Sequence, residues 1–159
     1  MYTFRTLAMI AVVGSLGFAS VSHADSGRFT SHYPWIFSGT IQELGADRAV
    51  YVGTLAGVNI NDAGKGFLHK VRMDCTIIND VNKGQSNANG SCAGTDADGD
   101  KAYLVFKCGG TMPACPGEFS FSGGTGKYKG LTGNSKFQGN FIGTTGAGWS
   151  DWNGEYKQP

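Results

Sequence analysis

From Trp35 to Tyr156 the apolar residues recur at every second position, and no window in that span repeats them at helical spacing. Successive side chains of a strand point to opposite faces, so this pattern restricts the chain to all-β architectures. Trp35, Phe37, Gly39 and Ile41 share one face of a first strand, with Ser38, Thr40 and Gln42 opposite. A second strand alternates Val50, Val52, Thr54, Ala56 and Val58 with Tyr51, Gly53, Leu55 and Gly57, and either face is apolar enough to be covered. The third pattern is the cleanest. Phe67, His69, Val71, Met73, Cys75 and Ile77 line one side, against Lys70, Arg72, Asp74 and Thr76. A polar loop from Asn82 to Gly90 then leads to a short strand carrying Cys92, and Asp98-Gly99 turns it into Ala102–Lys107, where Tyr103 and Val105 oppose Leu104 and Phe106. Phe119 and Phe121, then Phe137 to Phe141, then Trp149 to Tyr156 complete about eight short strands with hairpin-like connections.

That count suits a single eight-stranded antiparallel up-and-down β-barrel, which leaves no sheet edge unpaired; a β-sandwich is the alternative. Glycines inside the strands, at 39, 53, 57 and 139, favour the barrel, because curved strands need bends and bulges.

The densest glycine run, Gly123-Gly-Thr-Gly-Lys-Tyr-Lys-Gly-Leu-Thr-Gly133, invites a phosphate-binding reading that its spacing refuses. A P-loop would need glycine where Phe121 stands and Ser or Thr where Tyr128 stands. The dinucleotide fingerprint fails as well, since the spacing from Gly124 is wrong and no helical pattern follows to aim a dipole at a pyrophosphate. The run reads as a hairpin between two strands.

Residues 1–24 read as a cleaved export signal: Arg5 is the positive start, Leu7 to Phe18 the short apolar run and Ser22-His-Ala24 the small-x-small cleavage pattern. Residues 25–159 then form the mature β-barrel domain, secreted or periplasmic. No later segment approaches the ~20 apolar residues of a membrane-spanning helix. The chain has 13 Lys and Arg against 12 Asp and Glu, and with Arg5 removed the mature balance is zero. A nucleic-acid partner, which demands a basic excess on one face, is excluded on that ground.

Cys75, Cys92, Cys108 and Cys115 all fall in the mature part, and an exported chain meets an oxidising compartment, so two disulfides are expected. Of the three pairings, Cys75 with Cys92 and Cys108 with Cys115 are preferred because each joins neighbouring elements. Without Cys-x-x-Cys or spaced histidines, no metal site and no cofactor are expected.

Gly123 to Gly133 resembles the Gly-Gly-Thr/Ser-Gly-x-aromatic-x-Gly-x-x-Gly segment of the allene oxide cyclase and dirigent barrels. It also resembles exported bacterial proteins that share this segment, a Cys before an Asp-x-Asp-Gly-Asp turn and a closing Trp-x-Gly-x-Tyr-like strand. The resemblance covers about 20 residues plus the strand count. It implies an eight-stranded barrel, often a homo-oligomer, holding a small apolar molecule in its lumen and, in some members, steering its cyclisation or isomerisation. The segment is a structural hairpin in those families and carries no catalytic residue across.

Four sets of residues are candidates for chemistry. His69, a polar residue on the apolar face of the third pattern, is placed to act as general acid or base in a lumen, or simply to be a buried histidine satisfied by a hydrogen bond. Glu118, Asp151 and Glu155 are possible carboxylate partners if their strands turn them inward, and solvent-facing charges if not. Asp96-Ala-Asp-Gly-Asp100 alternates carboxylates like a calcium loop, yet has Lys101 and Lys107 where an EF-hand needs Gly and Glu, so a charged hairpin turn competes with a calcium-dependent interaction module. Finally Trp35, Phe37, Phe67, Met73, Tyr103, Phe119 and Phe121 are the pocket candidates for an apolar ligand. The same side chains would equally fill a barrel this small, which leaves a non-catalytic protein with a packed lumen as the alternative.

Overall fold

The structure, a computed structural model, describes residues 25–159; the export signal expected over residues 1–24 lies outside them. Eight strands follow one another: β1 (Asp25–Gly45), β2 (Arg48–Asn61), β3 (Val71–Asn82), β4 (Gln85–Thr95), β5 (Lys101–Thr111), β6 (Ala114–Gly124), β7 (Thr132–Phe141) and β8 (Ala147–Gln158). Each pairs antiparallel with the next, and β8 returns to β1 through a register running from Asp25 opposite Gln158 to Ile36 opposite Ala147. The sheet is therefore a closed barrel, and the sandwich alternative is gone. Among the described residues no helix is long and apolar enough to cross a membrane.

Alternation decides which side chains fill the interior. Phe29, Tyr33 and Trp35 from β1, Met73, Cys75 and Ile77 from β3, Leu104 from β5, Phe119 and Phe121 from β6 and Trp152 from β8 form one continuous buried cluster. On β2 the inward face is Tyr51, Gly53, Leu55 and Gly57, while the valines face solvent, Val52 at 46% exposure. Branched residues favour the pleated conformation on either face, so the valine run reports strand propensity and not burial.

The in-strand glycines have a measurable cause at one crossing. Gly39 and Gly53 are register partners, and a Cβ on Gly39 would stand 2.6 Å from the Cα of Gly53 and 2.9 Å from the Phe37 ring. Removing both side chains lets β1 and β2 bend together and gives Phe37 room to lie across them.

Two expected boundaries move. The third pattern does not begin at Phe67: Leu68 and Lys70 adopt φ of 54° and 58°, so Phe67–Lys70 is a turned segment and β3 starts at Val71. The loop expected over Asn82–Gly90 shrinks to Lys83-Gly84, both at positive φ, and the polar residues after it belong to β4. Small inward residues make this possible, since Ser86, Ala88 and Gly90 leave space for bulky neighbours such as Phe106.

Candidate ligand cleft

The up-and-down path puts the connections 62–70, 96–100 and 125–131 at one end of the barrel, and those at 46–47, 83–84, 112–113 and 142–146 at the other. The first end is sealed. Phe67 stacks on Tyr156 with ring centroids 3.7 Å apart, Phe29 and Phe121 meet Phe67 edge-on at 5.1 and 5.5 Å, and Leu68 and Leu131 are fully buried beside them. The aromatic pairs combine apolar burial with favourable edge geometry.

The glycine run forms part of this seal, and its sequence now has a local explanation. Residues Gly126–Tyr128 make one 3-10 turn that docks on the aspartate turn between β4 and β5. Asp96 Oδ1 accepts the backbone N–H groups of Asp98 and Asp100 at 2.9 and 3.0 Å, and its Oδ2 lies 2.6 Å from Lys127 Nζ. Asp98 Oδ2 is 3.1 Å from the same ammonium, while Asp100 Oδ2 accepts the Lys127 N–H. Thr125 closes the joint by exchanging hydrogen bonds with the Lys101 backbone. Gly126, at φ +50°, has no space for a Cβ against the Asp100 carboxylate. Burial pushes the Asp96 carboxyl up, but Lys127 and the two backbone donors outweigh it and hold it below the usual carboxylate range. The Lys127 ammonium is raised by its bonds to Asp96 and then Asp98. Burial, followed by the nearby Asp96 charge, pushes the Tyr128 phenol up to about 12. A lysine thus stands where the calcium reading needs a cation, and among the described residues no cluster of His, Cys, Asp and Glu is arranged to hold a metal.

Above the seal, the middle of the lumen is nearly filled. A void of about 40 Å³ remains between Tyr33, Trp35, Leu104, Phe119, Trp152 and the two disulfides. Those disulfides join Cys75 to Cys92 and Cys108 to Cys115, the preferred pairing. The polar atoms here are occupied: Tyr33 Oη bonds the carbonyls of Leu55 and Met73 at 2.8 and 3.2 Å, and Trp35 Nε1 donates to Ser150 Oγ at 3.3 Å. Burial, with Asp74 adding to it, raises the Tyr33 phenol far above its ordinary range, so it stays protonated.

The second end is open, and a cleft of about 200 Å³ sits in it. Its floor is Trp35, Leu55, Ile77 and Phe141, shared with the lumen; its walls are Phe37, Tyr51 and Asn79; its rim is Ile41, Met112 and the turn from Gly143 to Ala147. Among the described residues no acidic, basic or histidine side chain lines either the cleft or the lumen void.

Of the residues singled out in the sequence, Trp35 and Phe37 border the cleft and Phe119 lines the void beneath it. Phe67, Met73 and Phe121 belong to the sealed part of the barrel. Tyr103 lies outside, 36% exposed on the outer face of β5. Cys108 fixes the parity of that strand: a disulfide with buried Cys115 turns Phe106 and Leu104 inward and Tyr103 out. His69 is absent from the lumen. It sits in the Phe67–Lys70 turn, its backbone N–H bonded to Gly66 O and its Nδ1 buried with no hydrogen-bond partner among the described residues. The carboxylates point outward too. Glu118 pairs with Lys107 at 2.9 Å, and Asp151 bonds His32 Nδ1 at 2.7 Å. Tyr51 joins Phe37 in the cleft wall, and Asn79, Met112 and Thr144, which carried no such expectation, complete the cleft.

No family model matches the chain, and no characterised protein matches it in sequence. Among solved structures it is similar to two pterocarpan synthase dirigent proteins. The match to GePTS1 has 12% identity and a TM-score of 0.46 over 97% of this chain and 99% of that one. The match to PsPTS1 has 12% identity and a TM-score of 0.42 over 86% and 96%. Neither match bears on what this chain binds or does, and the closed barrel stands on its own strand pairing.

Proposed function

We propose that this protein is an exported binding barrel that takes one compact, uncharged, largely apolar molecule in the cleft at its open end and holds it without acid–base chemistry. The observation that carries this reading is the pairing of an uncharged cleft of about 200 Å³ with a barrel sealed at its other end. For scale, an apolar cavity of about 150 Å³ accepts benzene, so one or two fused rings suit the space. Among the described residues no carboxylate, amine, guanidinium or imidazole lines the cleft, and the Tyr33 phenol below it is bonded to two carbonyls, which supports a lining without an acid–base role at neutral pH. Any reaction of the guest then draws on its own reactivity, with the barrel fixing orientation and limiting water. The resemblance of Gly123–Gly133 to the allene oxide cyclase and dirigent barrels fits such a role. The signal read at residues 1–24 and the two disulfides fit a location outside the cytoplasm.

Titration with naphthalene followed by amide NMR tests the reading. Saturable shifts confined to Phe37, Tyr51, Ile77 and Phe141, and their loss in Thr144→Trp, which fills the mouth from a loop, are expected. Absence of saturable shifts, or shifts that persist unchanged in Thr144→Trp, would overturn it.

A further inference from the structure

We infer that Asn79 is the polar anchor of the cleft, selecting apolar guests that carry one hydrogen-bond acceptor oxygen, such as an aryl ketone, over the parent hydrocarbon. This rests on the cleft being a binding site and names the class of molecule it takes. Asn79 follows Met73, Cys75 and Ile77 on the inward face of β3 and, among the described residues, is the one amide side chain in a lining otherwise apolar save for Tyr51 and Thr144. It is only 2% exposed, yet it forms part of the cleft wall. A buried amide in such surroundings needs its hydrogen-bonding capacity matched. One part of it is matched: Asn79 Oδ1 accepts a hydrogen bond from Ser86 Oγ at 2.8 Å. Among the described residues its Nδ2 makes no hydrogen bond, and it is not one of the fully buried unpaired atoms, so it keeps an opening toward space that the cleft supplies.

The orientation of the amide follows from its neighbour. Ser86 Oγ also lies 3.4 Å from Cys115 Sγ, but that sulfur is in a disulfide, has no proton to give and accepts poorly. The serine proton therefore goes to the better acceptor, Asn79 Oδ1. With the oxygen so engaged, the NH₂ group is the end left for a guest. A donor fixed in an apolar wall rewards a carbonyl or ether oxygen, and it rejects a hydrocarbon that would leave it unpaired.

The test compares indane with 1-indanone, two bicyclic molecules of nearly equal size. The readout is the ratio of their dissociation constants, in wild type and in Asn79→Leu, by calorimetry or NMR titration. Because the two compounds partition differently from water, only the change in ratio between proteins is diagnostic. It should fall about tenfold in Asn79→Leu, through weaker 1-indanone binding with indane binding retained. Ser86→Ala, which frees the amide to rotate, should lower the ratio about threefold. In the wild type, the Asn79 side-chain NH₂ resonances should move on adding 1-indanone and stay in place with indane, a measurement that requires no variant to fold. Both compounds binding with an unchanged ratio in Asn79→Leu, or NH₂ resonances indifferent to the ketone, would sink the anchor and leave the cleft standing. If neither compound binds the wild type, anchor and cleft fail together.

Discussion

The two ends of this barrel are built from the same strands and have opposite characters. At the sealed end the connections are long, and they carry side chains that turn inward: Leu68, Tyr128 and Leu131 are all buried, and a lysine and three aspartates tie two of the connections together. At the open end the connections are short, and three of them are two-residue links between consecutive strands. A two-residue link brings few side chains that can fold over the mouth, and Met112 reaches only its rim, so the cleft survives between the strand ends. Loop length, more than the composition of the strands, decides which end is available to a guest.

Breaking the seal should have the largest effect. Leu131→Ala removes a fully buried side chain and is expected to cost about 3 kcal/mol in urea unfolding, whereas Ile41→Ala, on the open rim at 56% exposure, should change stability by less than about 0.5 kcal/mol. Equal losses at the two positions would remove the contrast between the ends.

The aspartate–lysine joint comes next. Asp96→Asn leaves Lys127 without its shortest partner and should cost about 2 kcal/mol at pH 7. The folded-state carboxyl is depressed below its unfolded value, so the joint contributes fully above the unfolded value, near 4, and that contribution is lost as pH falls through the folded one. Acid titration of wild type and variant should therefore converge at low pH. A constant gap down to pH 2 would show that the charge is not what the joint uses.

On the open side, Phe37→Ala should cost only about 1 kcal/mol, below the range for core phenylalanines, because its ring already borders open space. It should nevertheless weaken naphthalene binding. A loss of several kcal/mol would instead make Phe37 part of the load-carrying core.

The smallest effect belongs to the outer wall, where His32 lies between Asp151 and Asp62. The Asp151 hydrogen bond raises the imidazole above its ordinary value of 6.5, against a small opposing effect of burial. Its contribution is full below the unfolded value and disappears as pH rises through the folded one. Because the side chain is 60% exposed, the whole effect should stay under about 0.5 kcal/mol, visible as a slight fall in Tm above pH 6.5 that His32→Gln abolishes. A fall that survives His32→Gln would assign it elsewhere.

The barrel and both disulfides were legible in the sequence because alternation is dictated by backbone geometry and cysteine pairing follows strand adjacency. The site was legible only in outline. His69 shares parity with Val71 and Met73, and parity alone put it in the lumen; the two positive-φ residues that flank it, Leu68 and Lys70, break the count, and nothing about leucine or lysine announces that conformation. Tyr103 lies on the opposite parity from Cys108, five positions on, whose bond to buried Cys115 sets the inward face of β5. Asn79 carried the clearest unread signal: a polar residue extending an apolar face by one more step. The glycine run identified a joint and not a reaction, and its partner turn, Asp96–Asp100, lies too far back in the chain for local pattern to connect them.

The β1–β8 seam has a consequence in time. His32 and Asp151 face each other across it although they are 119 residues apart, whereas every other strand pairs with its immediate successor. Hairpins between successive strands close small loops and form early, but the seam must wait for nearly the whole chain and bears the greatest loop-closure entropy in the molecule. Refolding should accordingly pass through an open, curled sheet whose two unpaired edges are β1 and β8. Amide hydrogens of those edges would be the last to gain protection, and their exposure time sets the window in which two unfinished barrels could pair with each other instead of closing.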